Sequence, residues 1–188
     1  MKVIKPIWLT ICIATMLIVA LNVSAQVSYQ RILNAADEPG NWLTYNGGYS
    51  SQRYSRLDQL TPENVDQLQL QWTLQNQVFG AWQSNPIIVD GIMYVTERPN
   101  SVMALDAITG RVFWKYRHVP ADNALVCCGA NNRGVAVLGD KVFMGTLDAR
   151  LVALDRINGQ PLWNVEVGDV SLAYSVTMAP LAVKDKII

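Results

Sequence analysis

The chain has 188 residues, 51% hydrophobic and 16% charged, with 15 Lys and Arg against 15 Asp and Glu. That apolar share argues against disorder and is enough for a normal core. The even charge, with no basic block, excludes nucleic acid as an expected partner.

Residues 1–25 read as a cleaved secretory signal. Lys2 and Lys5 precede an apolar run from Ile7 to Leu21, and Val23-Ser24-Ala25 gives a small-residue exit. The run is short of the roughly 20 residues a spanning helix needs, so no stable membrane span is expected after cleavage. Cys12 lies inside the run and leaves with it, so the mature chain keeps two of the 3 cysteines and 13 basic against 15 acidic residues. Export to the periplasm, where disulfides persist, is the expectation.

Asn41 to Ser50 is rich in aromatics and turn formers without helical spacing, and reads as a strand with tight turns. Thr61-Pro62-Glu63 supplies an N-cap hydroxyl, a proline at the first helical position and an acid in the first turn, which predicts a short helix. Leu68-Gln69-Leu70-Gln71-Trp72 then alternates like a strand.

From Pro86 onward the pattern is one of short strands. Pro86–Val89 and Ile92–Thr96 flank the hairpin turn Asp90-Gly91, and Ser101–Leu105 and Arg111–Lys115 flank Asp106-Ala107-Ile108-Thr109-Gly110. The order recurs as Gly134–Leu138, Lys141–Thr146, Arg150–Leu154 and Gly159–Trp163, with 49 residues between Trp114 and Trp163. Pro180 to Ile188 opens a third unit with Lys184-Asp185-Lys186 at its turn. Four strands per unit and a period in the forties predict an all-β fold, two to three blades of a β-propeller. The repeated indoles are expected to dock one blade on the next while each ring N–H finds a backbone carbonyl.

Between the two full units lies Cys127-Cys128-Gly129-Ala130-Asn131-Asn132-Arg133-Gly134. Consecutive Cα atoms sit about 3.8 Å apart and ordinary disulfides span roughly 4.4 to 6.8 Å, so bonding these neighbours would strain the intervening peptide, as happens at functional sites. Two buried thiols or half of a metal site remain open on the residues alone. His118 is the sole histidine and falls in the connection after the first unit. It is expected to be a loop residue, and no Ser-His-Asp set, phosphate loop or His/Cys cluster can be assembled.

The Cys-Cys-Gly-x-x-Asn-Arg-Gly run, set among Ala-Leu-Asp-x-x-x-Gly-x-x-x-Trp modules, resembles the quinoprotein alcohol dehydrogenases, which use pyrroloquinoline quinone (PQQ). Trp42, Tyr45, Arg53, Tyr54 and Ser55 match the family's opening run, a match read as architectural. The resemblance implies that residues 26–188 are the N-terminal portion of an eight-bladed propeller and that a Cys127–Cys128 disulfide lies as a lid on the cofactor. It also implies that Arg133 binds the cofactor's polar edge, that Thr177 hydrogen-bonds a cofactor carboxylate, and that Gln83 stands where the family generally has a glutamate. The family oxidises primary alcohols to aldehydes with a bound calcium or lanthanide ion and passes electrons to a cytochrome c. Its metal ligands and aspartate base are expected beyond Ile188, so the chain alone is expected to be inactive, with no catalytic residue and no metal ligand of its own. A non-catalytic propeller scaffold, like the lipoprotein that assists outer-membrane barrel assembly, and a quinoprotein sugar dehydrogenase are the alternatives. The adjacent cysteines favour the alcohol branch over both.

Overall fold

The computed structural model describes residues 26–126 and 129–188. The expected signal, Met1 to Ala25, and the pair Cys127 and Cys128 lie outside the described residues. Two four-stranded antiparallel sheets follow one another, β1-β2-β3-β4 and β5-β6-β7-β8, and a two-stranded sheet of β9 and β10 comes third. The first holds β1 (Ile87–Val89), β2 (Ile92–Glu97), β3 (Ser101–Asp106) and β4 (Val112–Arg117). The second holds β5 (Ala136–Leu138), β6 (Lys141–Gly145), β7 (Arg150–Asp155) and β8 (Pro161–Glu166), and the third β9 (Ala182–Val183) and β10 (Lys186–Ile187). These are the expected blades, with ends moved by at most three residues.

The repeat is structural as well as sequential. Ala104 pairs with Trp114 and Ala153 with Trp163, and in both sheets the register slips immediately afterwards, between Ala104 and Leu105 and between Ala153 and Leu154. The turns after β3 and β7 share one construction. Asp106 Oδ1 accepts from the N–H of Ile108 (2.9 Å) and Thr109 (3.1 Å), and Asp155 Oδ1 from those of Ile157 (2.9 Å) and Asn158 (3.0 Å). Such side-chain bonds to the local backbone are why aspartate opens these turns.

Each turn is the seat of an indole from the unit before it. Trp114 Nε1 donates to the Arg156 carbonyl at 3.2 Å, and its ring lies so close over Gly159 that a Cβ there would meet Cε3 at 2.5 Å. Trp72 repeats the contact one unit earlier: Nε1 donates to the Ala107 carbonyl at 3.2 Å, and a Cβ on Gly110 would again be 2.5 Å from the ring. Trp72 therefore occupies the place of an outer-strand indole. Trp163 is 36% exposed and packs on Phe143 of its own sheet, with ring centroids 5.7 Å apart, as Trp114 packs on Tyr94 at 6.0 Å. Among the described residues the third unit is represented by the β9–β10 hairpin.

One core runs between the stacked sheets. Tyr94, Val102 and Ala104 of the first meet Val137, Val142, Met144 and Val152 of the second, all 1% exposed or less. Val27, Ile32 and Leu43 of the N-terminal segment join the same core. That segment carries helix α1 (Tyr29–Leu33), capped by Ser28, whose hydroxyl accepts the Arg31 N–H. Arg31 clamps it to the β1–β2 turn by bonding both Glu38 and Asp90. The guanidinium's hydrogen bonds hold both carboxyls below their ordinary range.

Three other expectations are corrected. The helix expected from Thr61 is a turn followed by one 3-10 turn at Val65–Gln67. Thr61 Oγ1 does cap the Glu63 N–H, at 3.3 Å, but Asn64 bonds backward to the Thr61 N–H and the Gln59 carbonyl, competing with helical hydrogen bonding. The strand expected at Leu68–Trp72 has no ladder partner among the described residues and stays extended and mostly exposed. The strand expected within Asn41–Ser50 reduces to a single bridge, Trp42 to Ile88, followed by turns. Among the described residues no helix is long and apolar enough to cross a membrane.

Candidate cofactor site

Antiparallel order puts the start of the first strand of each sheet, the β2–β3 and β6–β7 turns and the end of the outer strand at one rim, as the pairs Glu97–Ser101, Ser101–Arg117 and Arg150–Glu166 fix. The connection 118–135, which carries the cysteine pair, starts and ends at this rim. So do the segments that lead into β1, β5 and β9, which contain Gln83, Arg133 and Thr177.

Backbone bonds lace these three segments side by side. The Asn85 N–H donates to the Arg133 carbonyl at 3.0 Å, and the Arg133 N–H donates to the Thr177 carbonyl at 3.1 Å. Gly134 permits the close approach: its φ is +140°, and a Cβ would lie 3.2 Å from the Asn85 carbonyl oxygen and 3.4 Å from the Ala179 Cβ. Arg133 Nη1 donates to the Thr177 carbonyl as well, at 3.2 Å. The structure thus brings Arg133 and Thr177 into contact. Gln83 lies two residues before Asn85 at the same rim, with its side chain exposed. Cys127 and Cys128 lie outside the described residues, but Ala130, two positions on, accepts from Arg98 Nε at 3.1 Å.

A cavity of about 300 Å³ opens at Arg133, lined also by Thr44, Tyr45, Tyr49, Met178 and Pro180. Tyr49 donates to the Ala182 carbonyl, and burial, with Tyr29 nearby, raises its hydroxyl above the ordinary value, so it stays neutral and polar in the wall. The two buried acids of the rim each have a cationic or imidazole partner, although Glu97 Oε1 has no hydrogen-bond partner. Buried Glu97 pairs with Lys115, and buried Asp148 pairs with His118 Nε2, 2.9 Å from each carboxylate oxygen. Among the described residues neither Arg98 nor Arg133 forms an ion pair; both bond backbone carbonyls. A cationic rim beside a cavity, with a planar guanidinium able to grip a carboxylate in two parallel bonds, fits a flat, multiply acidic cofactor such as PQQ. No group of three or more His, Cys, Asp or Glu residues able to hold a metal occurs among the described residues.

Two elements of this rim were not read from the sequence. His118 lies in the connection as expected, but its side chain is only 11% exposed, and Asp148, 30 positions away, also accepts from Thr146 Oγ1 (2.6 Å) and the Ala121 N–H (3.1 Å). The other is Asn132, 3% exposed, whose side chain and carbonyl bond three different segments.

Residues 42–185 match the family model for PQQ, the glucose/ethanol/alcohol dehydrogenase β-propeller domain. The quinohemoprotein alcohol dehydrogenase ADH-IIG of Pseudomonas putida is 42% identical over 175 residues, which are 90% of this chain and 24% of that protein. The lanthanide-dependent methanol dehydrogenase of Methylacidiphilum fumariolicum is 36% identical over 162 residues, 84% of this chain and 26% of that one. A solved structure of ADHIIG from P. putida HK5 superposes with a TM-score of 0.84 at 41% identity, covering 88% of this chain and 25% of that one. The chain spans about a quarter of the length of these relatives. With two four-strand blades, the start of a third and a family match over most of its length, the chain belongs to the PQQ-dependent glucose/ethanol/alcohol dehydrogenase β-propeller family.

Proposed function

We propose that this chain is the N-terminal portion of a periplasmic PQQ-dependent dehydrogenase that oxidises primary alcohols to aldehydes and hands electrons to a cytochrome c. The observation that carries this reading is that Arg133, tied by its side chain and its N–H to the Thr177 carbonyl of the neighbouring blade's lead-in segment, lines a cavity at this rim. When bound, PQQ with its calcium or lanthanide ion supplies the hydride acceptor and the Lewis acid. Arg133 holds a cofactor carboxylate, the Thr177 hydroxyl donates to another, and Gln83 offers an uncharged donor and acceptor where a glutamate would add repulsion. Cys127 and Cys128, joined as a disulfide, cover one face of the ring.

Relatives named for alcohol and methanol support an alcohol over a sugar as substrate, and the lanthanide-dependent relative supports a lanthanide as an alternative to calcium. Export rests on the signal-like leader; mass spectrometry of periplasmic protein should find Gln26 first and no free thiol at Cys127 or Cys128. The decisive assay is dye reduction by the full-length protein loaded with PQQ and calcium or a lanthanide. Turnover with ethanol or methanol and none with glucose is expected. Turnover with glucose alone would transfer the protein to the sugar branch.

A further inference from the structure

Asn132 precedes Arg133, and its surroundings give it a part in the site that goes beyond packing. It is 3% exposed, yet no bond of its side chain goes to another side chain. Oδ1 accepts the Gly134 N–H at 3.1 Å, a bond that steps over Arg133 and closes an Asx turn around it. Nδ2 donates to the Gly145 carbonyl at 2.8 Å, which ties that turn to the end of β6. The Asn132 carbonyl accepts from Thr96 Oγ1 at 3.0 Å, and Thr96 is in turn held by Ser84 Oγ, 2.8 Å from its N–H and 3.0 Å from its hydroxyl.

The Arg133 peptide itself is bonded on both sides, to Asn85 and Thr177. What those bonds leave open is the rotation of the 132–134 segment about the line between them, which decides where the guanidinium points. The Asn132 amide closes that freedom at the backbone, upstream of the single bond that Arg133 Nη1 makes to the Thr177 carbonyl. It must accept at Gly134 and donate at Gly145 simultaneously, and asparagine is the shortest residue with both groups on one planar end. The anchor at Gly145 is itself rigid, because β6 runs under Val176: a Cβ on Gly145 would fall 2.1 Å from the Val176 Cγ1. Val176 precedes Thr177 and donates its N–H to Thr146 at 2.9 Å, so one strand end fixes Arg133 through Asn132 and Thr177 through the backbone.

We propose that Asn132 is a positioning residue for the quinone site, acting through Arg133 by bracing it against the end of β6. The proposal rests on the reading of Arg133 as a quinone ligand and names the residue that makes it one. A group that acts through another should lose its effect when that other is gone. A residue that merely supports the fold should weaken binding equally in both backgrounds.

The experiment is a double-mutant cycle on the full-length protein, titrating PQQ by equilibrium dialysis and recording thermal unfolding of each quinone-free variant. Asn132→Ala is expected to raise the PQQ dissociation constant about 10-fold, and less than about 2-fold when added to Arg133→Ala. The quinone-free melting temperatures should not follow this pattern. Equal losses in both backgrounds, or no loss in the first, would overturn the proposal. If Arg133→Ala itself leaves PQQ affinity unchanged, the cofactor-site reading fails instead, and the role of Asn132 with it. Should Asn132→Ala not fold, Asn132→Ser carries the cycle, because its hydroxyl can still accept at Gly134 but cannot reach Gly145. The same dependence on Arg133 is expected with a smaller loss, and an additive loss counts against the brace.

Discussion

Asp148→Ala is expected to destabilise the full-length protein by about 3 kcal/mol in denaturant unfolding. The carboxylate is almost fully buried and accepts from three groups, the Thr146 hydroxyl, the His118 ring and the Ala121 N–H. Removing it leaves the mostly buried His118 ring without this acceptor and the Thr146 hydroxyl with only a 3.3 Å bond to the Arg150 carbonyl, which costs more than the bonds themselves contribute. Ala121 and His118 begin the connection to the cysteine pair, and the His118 N–H also bonds the Asn100 carbonyl at 2.9 Å, so the loss should loosen the front of that loop. Its far end, held by Arg98 and Asn132, should keep its protection in hydrogen exchange. Burial pushes the Asp148 carboxyl up, and its bonds to Thr146 and His118, His118's charge and the Ala121 N–H together outweigh that, so it titrates below its ordinary value. A carboxyl lowered on folding stabilises above its unfolded value and stops doing so as pH falls through the folded one. The gap between wild type and Asp148→Ala should therefore be full above about pH 4 to 5 and close below it. A gap that persists unchanged in acid would mean that the carboxylate's charge is not what the cluster uses.

Gly159→Ala should cost about as much, for a different reason. Its φ of +71° is left-handed, and the added methyl would meet the Trp114 ring at 2.5 Å. The two terms, about 1 kcal/mol for the backbone and 1–3 kcal/mol for overpacking, add to about 3 kcal/mol. Gly91→Ala separates them, since Gly91 has φ +77° with nothing within 4 Å of the new Cβ, and should lose only about 1 kcal/mol. Thermal or denaturant unfolding of both variants measures the difference. Equal losses would show that the indole docking on this turn contributes little.

The blades were legible because their information is local. Alternation, paired turn residues and an Asp-x-Ile-x-Gly turn all act within a few residues, and the structure moves strand ends by three at most. Trp72 was not legible, because it stands 38 positions before Gly110 where Trp114 stands 45 before Gly159, and its segment lacks the strand neighbours that make alternation informative. The false helix at Thr61 arose from a correct cap read without its competitor, Asn64. At the site, Arg133 and Thr177 were found through the family motif, and nothing in their spacing of 44 residues announces that they touch. His118 with Asp148 and Asn132 with Gly145 were missed for the same reason. Their partners lie on other strands, and a lone histidine or asparagine in a loop looks alike whether it is solvated or buried.

The most direct test of the account is a PQQ titration of the quinone-free full-length protein, comparing wild type with Arg133→Ala. Saturable binding of one quinone per chain is expected, weakened about 30-fold by the substitution, as befits loss of charge-assisted bonds to a carboxylate. Absence of binding, or binding indifferent to Arg133, would contradict the account and leave a propeller of this family whose rim holds no cofactor.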